Sequence, residues 1–256
     1  MATDFYLALE LDKVDLSGKV ISVVERQGGN ANFVISALMS HFIDNKTAIC
    51  LLSLHNTFGH YRNVGMKFGK NLQKLKEEGS FKCIEMLKTI ERSVSDRTTE
   101  IDFLFPGNQK DMPLKNLFLT IKREAELLLQ TQKSVCILVD DLSDLFCLGY
   151  SSSQVLSFYQ YCRSLIFDLK SCSLVVLCHS TDEDIESMLT VTGICHTSYL
   201  SVEVCGLNTG ISGDVSGVIN IGKRDEANSR IRNTYHFKLE EKRIRVFPPG
   251  ASPALF

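Results

Sequence analysis

From residue 19 to about residue 190, strand-sized apolar runs alternate with stretches whose apolar residues recur at helical spacing. That alternation leaves few architectures open. Strands buried on both faces are continuous apolar runs, and helices between them make the crossovers that parallel strands need. The expected strands are Lys19 to Glu25, Thr47 to Leu54, Phe81 to Met86, Val135 to Asp140 and Ser173 to His179. Between them, Ala31 to Ile43 is helical by pattern. Tyr61, Val64, Phe68, Leu72 and Leu75 line one face of a second helix that stops at Gly79, a residue suited to the left-handed cap position. A third helix follows Asp111 and Pro113. A fourth carries Val155, Phe158, Tyr159, Cys162 and Ile166 at helical spacing.

Past residue 195 the pattern shortens to Ser198 to Cys205, Gly217 to Ile221, Thr234 to Leu239 and Arg243 to Phe247, which reads as an antiparallel meander closing the sheet. Ser95 to Asp111 is the one segment expected to be flexible. No repeat or linker divides the chain, and 256 residues suffice for one large core. The expectation is a single domain over residues 1–256: an α/β fold with a mainly parallel central sheet and an antiparallel C-terminal extension.

Composition excludes some function classes. The formal charge is −2, so any nucleic-acid contact must come from a local patch. The longest apolar runs, such as Val135 to Val139, are far short of the roughly 20 residues of a spanning helix. Met1-Ala2-Thr3-Asp4 lacks the basic start of a signal peptide. Nine scattered cysteines without zinc-ligand spacing read as reduced core thiols, which fits the cytosol or the nucleus.

A first strand running through glycines into a helix is where P-loop proteins hold phosphate, so residues 20–33 can be laid on G-x-x-x-x-G-K-[ST]. The first glycine falls at Glu25, the second at Asn30, the lysine at Ala31 and the hydroxyl residue at Asn32. No lysine is left for the phosphates and no hydroxyl for magnesium, and Glu25 would repel a nucleotide. Gly28 and Gly29 remain, but a strand-to-helix turn uses glycine anyway. Val135 to Asp140, with Asp141 following, has the form of a Walker B strand, whose first acid would orient magnesium. The neighbouring strand, where a catalytic glutamate would sit, ends Ser53-Leu54-His55-Asn56 without a carboxylate. No catalytic residue, metal site or cofactor is expected. His179 reads as a satisfied strand-end residue, and no Ser-His-Asp order can be defended.

Lys223, Arg224, Arg230 and Arg232 cluster in the meander and are the candidate RNA or interface contacts, since arginine matches phosphate oxygens in fork geometry. A charged edge hairpin guarded against aggregation is the plainer alternative.

These residues carry a resemblance. Ser53 to Gly69 (SLHNTFGHYRNVGMKFG), Ile137 to Gly149 (ILVDDLSDLFCLG), Phe158 to Arg163 (FYQYCR), Gly206 to Gly210 (GLNTG) and the ending Gly250 to Leu255 (GASPAL) resemble the Elongator complex protein 6 family. The likeness spans almost the whole chain. It implies a RecA-like P-loop NTPase fold with degenerate nucleotide motifs, and a pseudo-ATPase scaffold subunit rather than an enzyme. With the fourth and fifth Elongator proteins such a subunit would form a heterohexameric ring that binds tRNA and supports the catalytic subcomplex in modifying the wobble uridine (U34). The iron–sulfur and acetyl-CoA chemistry would lie on another subunit. Location would be cytoplasmic, with the nucleus open. Two rivals stand beside it: a RecA-like recombination accessory protein, and an NTPase with an atypical P-loop whose lysine comes from elsewhere, such as Lys46.

Overall fold

Apolar strands need cover on both faces, and the chain supplies it with helices made between them. The structure, a computed structural model, describes residues 3–86, 88, 114–207, 213–225, 229–241 and 243–251. Its strands are β1 (Val20–Glu25), β2 (Ala48–Ser53), β3 (Phe81–Glu85), β4 (Val135–Asp140), β5 (Cys172–His179), β6 (Leu200–Cys205), β7 (Gly217–Arg224), β8 (Arg230–Leu239) and β9 (Ile244–Phe247). They form one sheet in the order β3-β2-β4-β5-β1-β6-β7-β8-β9. The helices are α1 (Thr3–Leu9), α2 (Asn32–Asp44), α3 (Phe58–Lys67), α4 (Leu72–Glu77), α5 (Lys115–Leu129), α6 (Asp144–Cys147), α7 (Ser152–Leu169) and α8 (Ile185–Thr197).

Residues alternate between two core layers, as strand geometry requires. Ile21 and Val23 pack with Phe5, Ile35, Leu38 and Phe58 from α1 to α3. Val20 and Val24 face the other way, with Ile121, Phe158 and Ile194 from α5, α7 and α8. Strands β1 to β5 are buried almost throughout except β3, an edge strand, and this double cover is what made them legible as continuous apolar runs. All nine cysteines are free, and five of them are buried. Among the described residues no helix is long and apolar enough to cross a membrane.

The structure departs from the sequence expectations in three places. The helix expected from Tyr61 to Leu75 is two helices, because Gly69 takes a left-handed φ of +73° and the Asn71 side chain then caps α4 by accepting the Lys74 N–H at 3.1 Å. A crossover helix between β5 and β6, α8, is absent from the expected elements; through it β6 pairs parallel to β1, while β6 to β9 form the expected antiparallel meander. Strand β8 also begins at Arg230, four residues before the expected Thr234. Ser95 to Asp111 lies outside the described residues.

Strand β8 is largely exposed, and Phe237 is its one fully buried side chain. Its ring stacks on Phe33 with centroids 4.9 Å apart. Gly217, its cross-strand partner, leaves room for the ring, since a Cβ there would lie 2.7 Å from Phe237 Cε1. Phe237→Ala should therefore cost about 3–5 kcal/mol. Hydrogen exchange would show β8 and β9 amides losing protection while β1 to β5 keep theirs, and uniform loss across the sheet would contradict this anchoring role.

Candidate functional site

The carboxyl ends of β1, β5, β4 and β2 lie side by side, and in open parallel sheets this is the edge where ligands bind. Strand β1 runs into α2 through Arg26 to Ala31. A helix start offers free amide donors, which suit an anion. Here side chains of the chain itself take two of them. Glu25 Oε2 accepts the Ala31 N–H at 2.6 Å, and Asn30 Oδ1 accepts the Asn32 N–H at 3.1 Å. Ala31, at the position a phosphate-binding lysine would hold, is completely buried.

The glycines of this turn serve packing. Arg26 N–H donates to the Val204 carbonyl at 2.9 Å, which lays the turn against β6. A Cβ on Gly29 would lie 2.6 Å from Val204 O, and one on Gly206 would lie 2.6 Å from Gly28 O. Backbone meets backbone there, so neither residue tolerates a side chain.

At the centre stands His179, which the sequence placed as a satisfied strand-end residue without naming its partners. His179 ends β5, which lies between β1 and β4 in the sheet, so its ring reaches both neighbours. Nε2 lies 2.6 Å from Glu25 Oε1, and Nδ1 is hydrogen-bonded to Asp141 Oδ2. Those two carboxylates, Asp141 first, raise the imidazole pKa to about 10 against the opposing effect of burial. The ring is therefore a cation at neutral pH, donating from both nitrogens. Burial pushes the Glu25 carboxyl up, but the hydrogen bonds from His179 and Ala31 outweigh it and hold it below the usual range. Ser143 Oγ accepts the His179 N–H at 2.8 Å, and Asp141 Oδ1 accepts the Ser143 N–H at 2.9 Å. Beside them Arg26 pairs with Glu203 at 2.5 Å and donates to Ser180 Oγ at 2.9 Å.

Asp140, the first acid of the Walker B-like strand, is fully buried. Its Oδ2 accepts from the Asn56 backbone N–H at 3.1 Å and side-chain amide at 3.4 Å, and Asn56 reaches on to Asn32 Oδ1 at 3.3 Å. Among the described residues its Oδ1 has no hydrogen bond, and neither has the buried Tyr61 hydroxyl that faces it. Burial raises the Asp140 pKa, while the Tyr61 hydroxyl and the Asn56 amide act the other way. The carboxylate is thus turned into a protein network. At the rim, His55 Nδ1 lies 3.1 Å from Asp144 Oδ2.

These residues do not fit a nucleotide phosphate with magnesium. Two carboxylates and an imidazolium fill the turn, the lysine position is a buried alanine, and Asn32 is tied to Asn30 and Asn56. Lys46 sits in the turn before β2, at the opposite end of that strand, and cannot substitute.

The four basic residues of the meander do not form one patch. Lys223 points to the α1 face, where its Nζ pairs with Glu10 at 2.6 Å. Arg224, Arg230 and Arg232 project from the other face, a split that strand alternation explains. Arg224 Nε and Arg230 Nη2 share the Ser198 carbonyl at 3.2 and 3.1 Å, and they also hold the His196 and Cys195 carbonyls at the end of α8. Cations belong at a helix C-terminus, where the dipole is negative. Arg232 is exposed.

Comparison with known proteins settles the lineage. A sequence model of the family described as Elongation complex protein 6 matches residues 6–241. The chain belongs to the Elongation complex protein 6 family. Elongator complex protein 6 of Homo sapiens is 31% identical over 240 residues, covering 88% of this chain and 89% of that one. The Xenopus laevis protein is 29% identical, with the same shares covered, and the Drosophila melanogaster protein is 27% identical over 98% of both chains. The crystal structure of a KaiC-like protein from Pyrococcus horikoshii superposes with a TM-score of 0.58 at 11% identity, over 91% of this chain and 90% of that one. The fold is therefore RecA-like, and this chain extends it with the antiparallel strands β7 to β9.

The site makes stability depend on pH. His179 is raised from an ordinary 6.5 to about 10, so its contribution is complete below pH 6.5 and is lost as pH climbs toward 10. Glu25 is lowered, so its contribution is present above its ordinary 4.5 and is lost on acidification. With the imidazole side chain 44% exposed, solvent screening leaves about 1–2 kcal/mol. Urea unfolding at pH 6 and pH 9.5 should show the wild type weakening at the higher pH and His179→Gln, less stable at pH 6, changing much less. Equal slopes in the two proteins would remove the charged bridge.

Proposed function

We propose that this chain is a non-catalytic subunit of Elongator that assembles with the fourth and fifth Elongator proteins into a heterohexameric ring of RecA-like subunits. The ring binds tRNA and supports modification of the wobble uridine by the catalytic subcomplex, in the cytoplasm and with access to the nucleus. One observation carries the non-catalytic part: Glu25 and His179 occupy the turn where a RecA-like enzyme would hold nucleotide phosphate. Family membership supports the rest, because a family of complex subunits implies partners.

The test of assembly is affinity purification of the tagged chain with native mass spectrometry. The expected result is stoichiometric recovery of the fourth and fifth Elongator proteins; recovery with recombination factors would favour the rival. The test of chemistry is ATP turnover by the purified chain. Turnover should stay at background and Asp140→Asn should change nothing, whereas turnover abolished by that substitution would restore the enzyme reading.

The arginines separate by role. Arg232→Ala should weaken tRNA binding by the assembled ring severalfold and reduce its salt dependence, leaving stability within about 0.5 kcal/mol. Arg230→Ala should destabilise the chain by about 1–2 kcal/mol, because it strips hydrogen bonds from the end of α8. Unchanged tRNA affinity of Arg232→Ala at low salt would remove that residue from the RNA surface.

A further inference from the structure

At the end of the sheet opposite Glu25 and His179, a cleft of about 370 Å³ opens between the start of β1, the last turns of α7 and the passage from α8 into β6. Its walls combine cations with rings: Lys19, Arg163 and Arg224 beside Phe167 and Tyr199. Lys19 Nζ lies 4.3 Å from the centre of the Tyr199 ring. Arg163 and Phe167 are four residues apart on α7, and the guanidinium carbon lies 5.3 Å from the ring centre. Phe167 is 53% exposed, a large apolar ring left in water.

Among the described residues no carboxylate lies within ion-pair distance of Lys19 or Arg163. Arg163 holds only the Gln160 side-chain oxygen at 3.3 Å, and its Nε is buried with no acceptor. Arg224 stands directly across β7 and β8 from Arg230, a like-charge pair that a sheet ordinarily avoids. Arg232 follows on the same face, about 7 Å further along β8, a step comparable to the separation of adjacent phosphates in an extended strand. The chain as a whole is slightly acidic, so this excess is local.

Fixed cations beside exposed rings are what single-stranded nucleic acid requires: guanidinium and ammonium groups for the backbone, an aromatic face for a base. An acidic peptide would use the charges and leave Phe167 bare. A duplex presents no free base face to stack. We propose that this cleft binds a single-stranded segment of nucleic acid, with phosphates on Lys19, Arg163 and the arginines of β7 and β8, and a base stacked on the open face of Phe167. It deepens the tRNA-binding part of the function proposed above by placing it on this chain, and rests on that reading for RNA as the natural ligand.

The experiment is fluorescence anisotropy of the purified full chain with a labelled single-stranded RNA of about 12 nucleotides, within the span such sites cover. Phe167→Ala should weaken binding by about 5- to 100-fold, the range of one lost stack. Phe167→Leu, which keeps the bulk and removes the aromatic face, should weaken it similarly with an unchanged melting temperature. Lys19→Gln should lower the slope of log affinity against log salt by about 0.7, one single-strand phosphate contact. Lys74→Gln, on the exposed face of α4, should change neither. A Phe167 variant that binds as tightly as the wild type overturns the proposal, as does displacement of the RNA by a polyglutamate peptide of equal charge. Co-purification separates this from the function reading. A ring that assembles but ignores Phe167→Ala sinks the cleft alone, and a chain that binds RNA through Phe167 but recovers no Elongator partner sinks the function alone.

Discussion

The imidazolium of His179 holds together the carboxyl ends of three parallel strands. Glu25 and Asp141 would repel each other across β5, and neither is fully solvated. A cation hydrogen-bonded to both converts that repulsion into a bridge and leaves Glu25 free to satisfy the amide at the start of α2. What surrounds the bridge depends on it. The turn lies flat on β6, where Gly28 and Gly206 touch backbone to backbone. Asp140 is buried on Asn56. Both arrangements tighten the packing around the bridge.

The two ends of the sheet have opposite electrostatic character. At the carboxyl end Glu25, Asp141, Arg26 and Asp144 each have a side-chain partner within the chain. At the amino end, among the described residues, Lys19 and Arg163 have no carboxylate within ion-pair distance, and Arg224 and Arg230 are oriented by backbone carbonyls. A cation held by a carbonyl keeps its field available to other molecules, whereas one held by a carboxylate does not.

The sequence made the double-covered strands legible, since β1, β2, β4 and β5 are apolar at nearly every position. The departures at Glu25, Ala31 and Asn32 were equally plain. Helix α8 was hidden because Ile185, Met188 and Leu189 point into solvent, so its apolar positions do not trace a buried stripe. His179 was legible only as a satisfied strand-end residue, because its partners are set by strand order: only with β5 between β1 and β4 does one ring meet carboxylates 38 and 154 positions away from it in sequence. The split between Lys223 and Arg224 was within reach, because neighbours on a strand face opposite sides whatever their chemistry.

The burial of Ala31 bears on how such a chain can change. A lysine placed there would have to fit its longer side chain into a fully buried position, in a turn whose amide is already taken by Glu25. Removing Glu25 first would strip His179 of one of its two partners. No single substitution therefore leads toward a phosphate-binding loop through a stable intermediate. The carboxylate and the imidazole thus lock each other in place, and neither position is free to change alone.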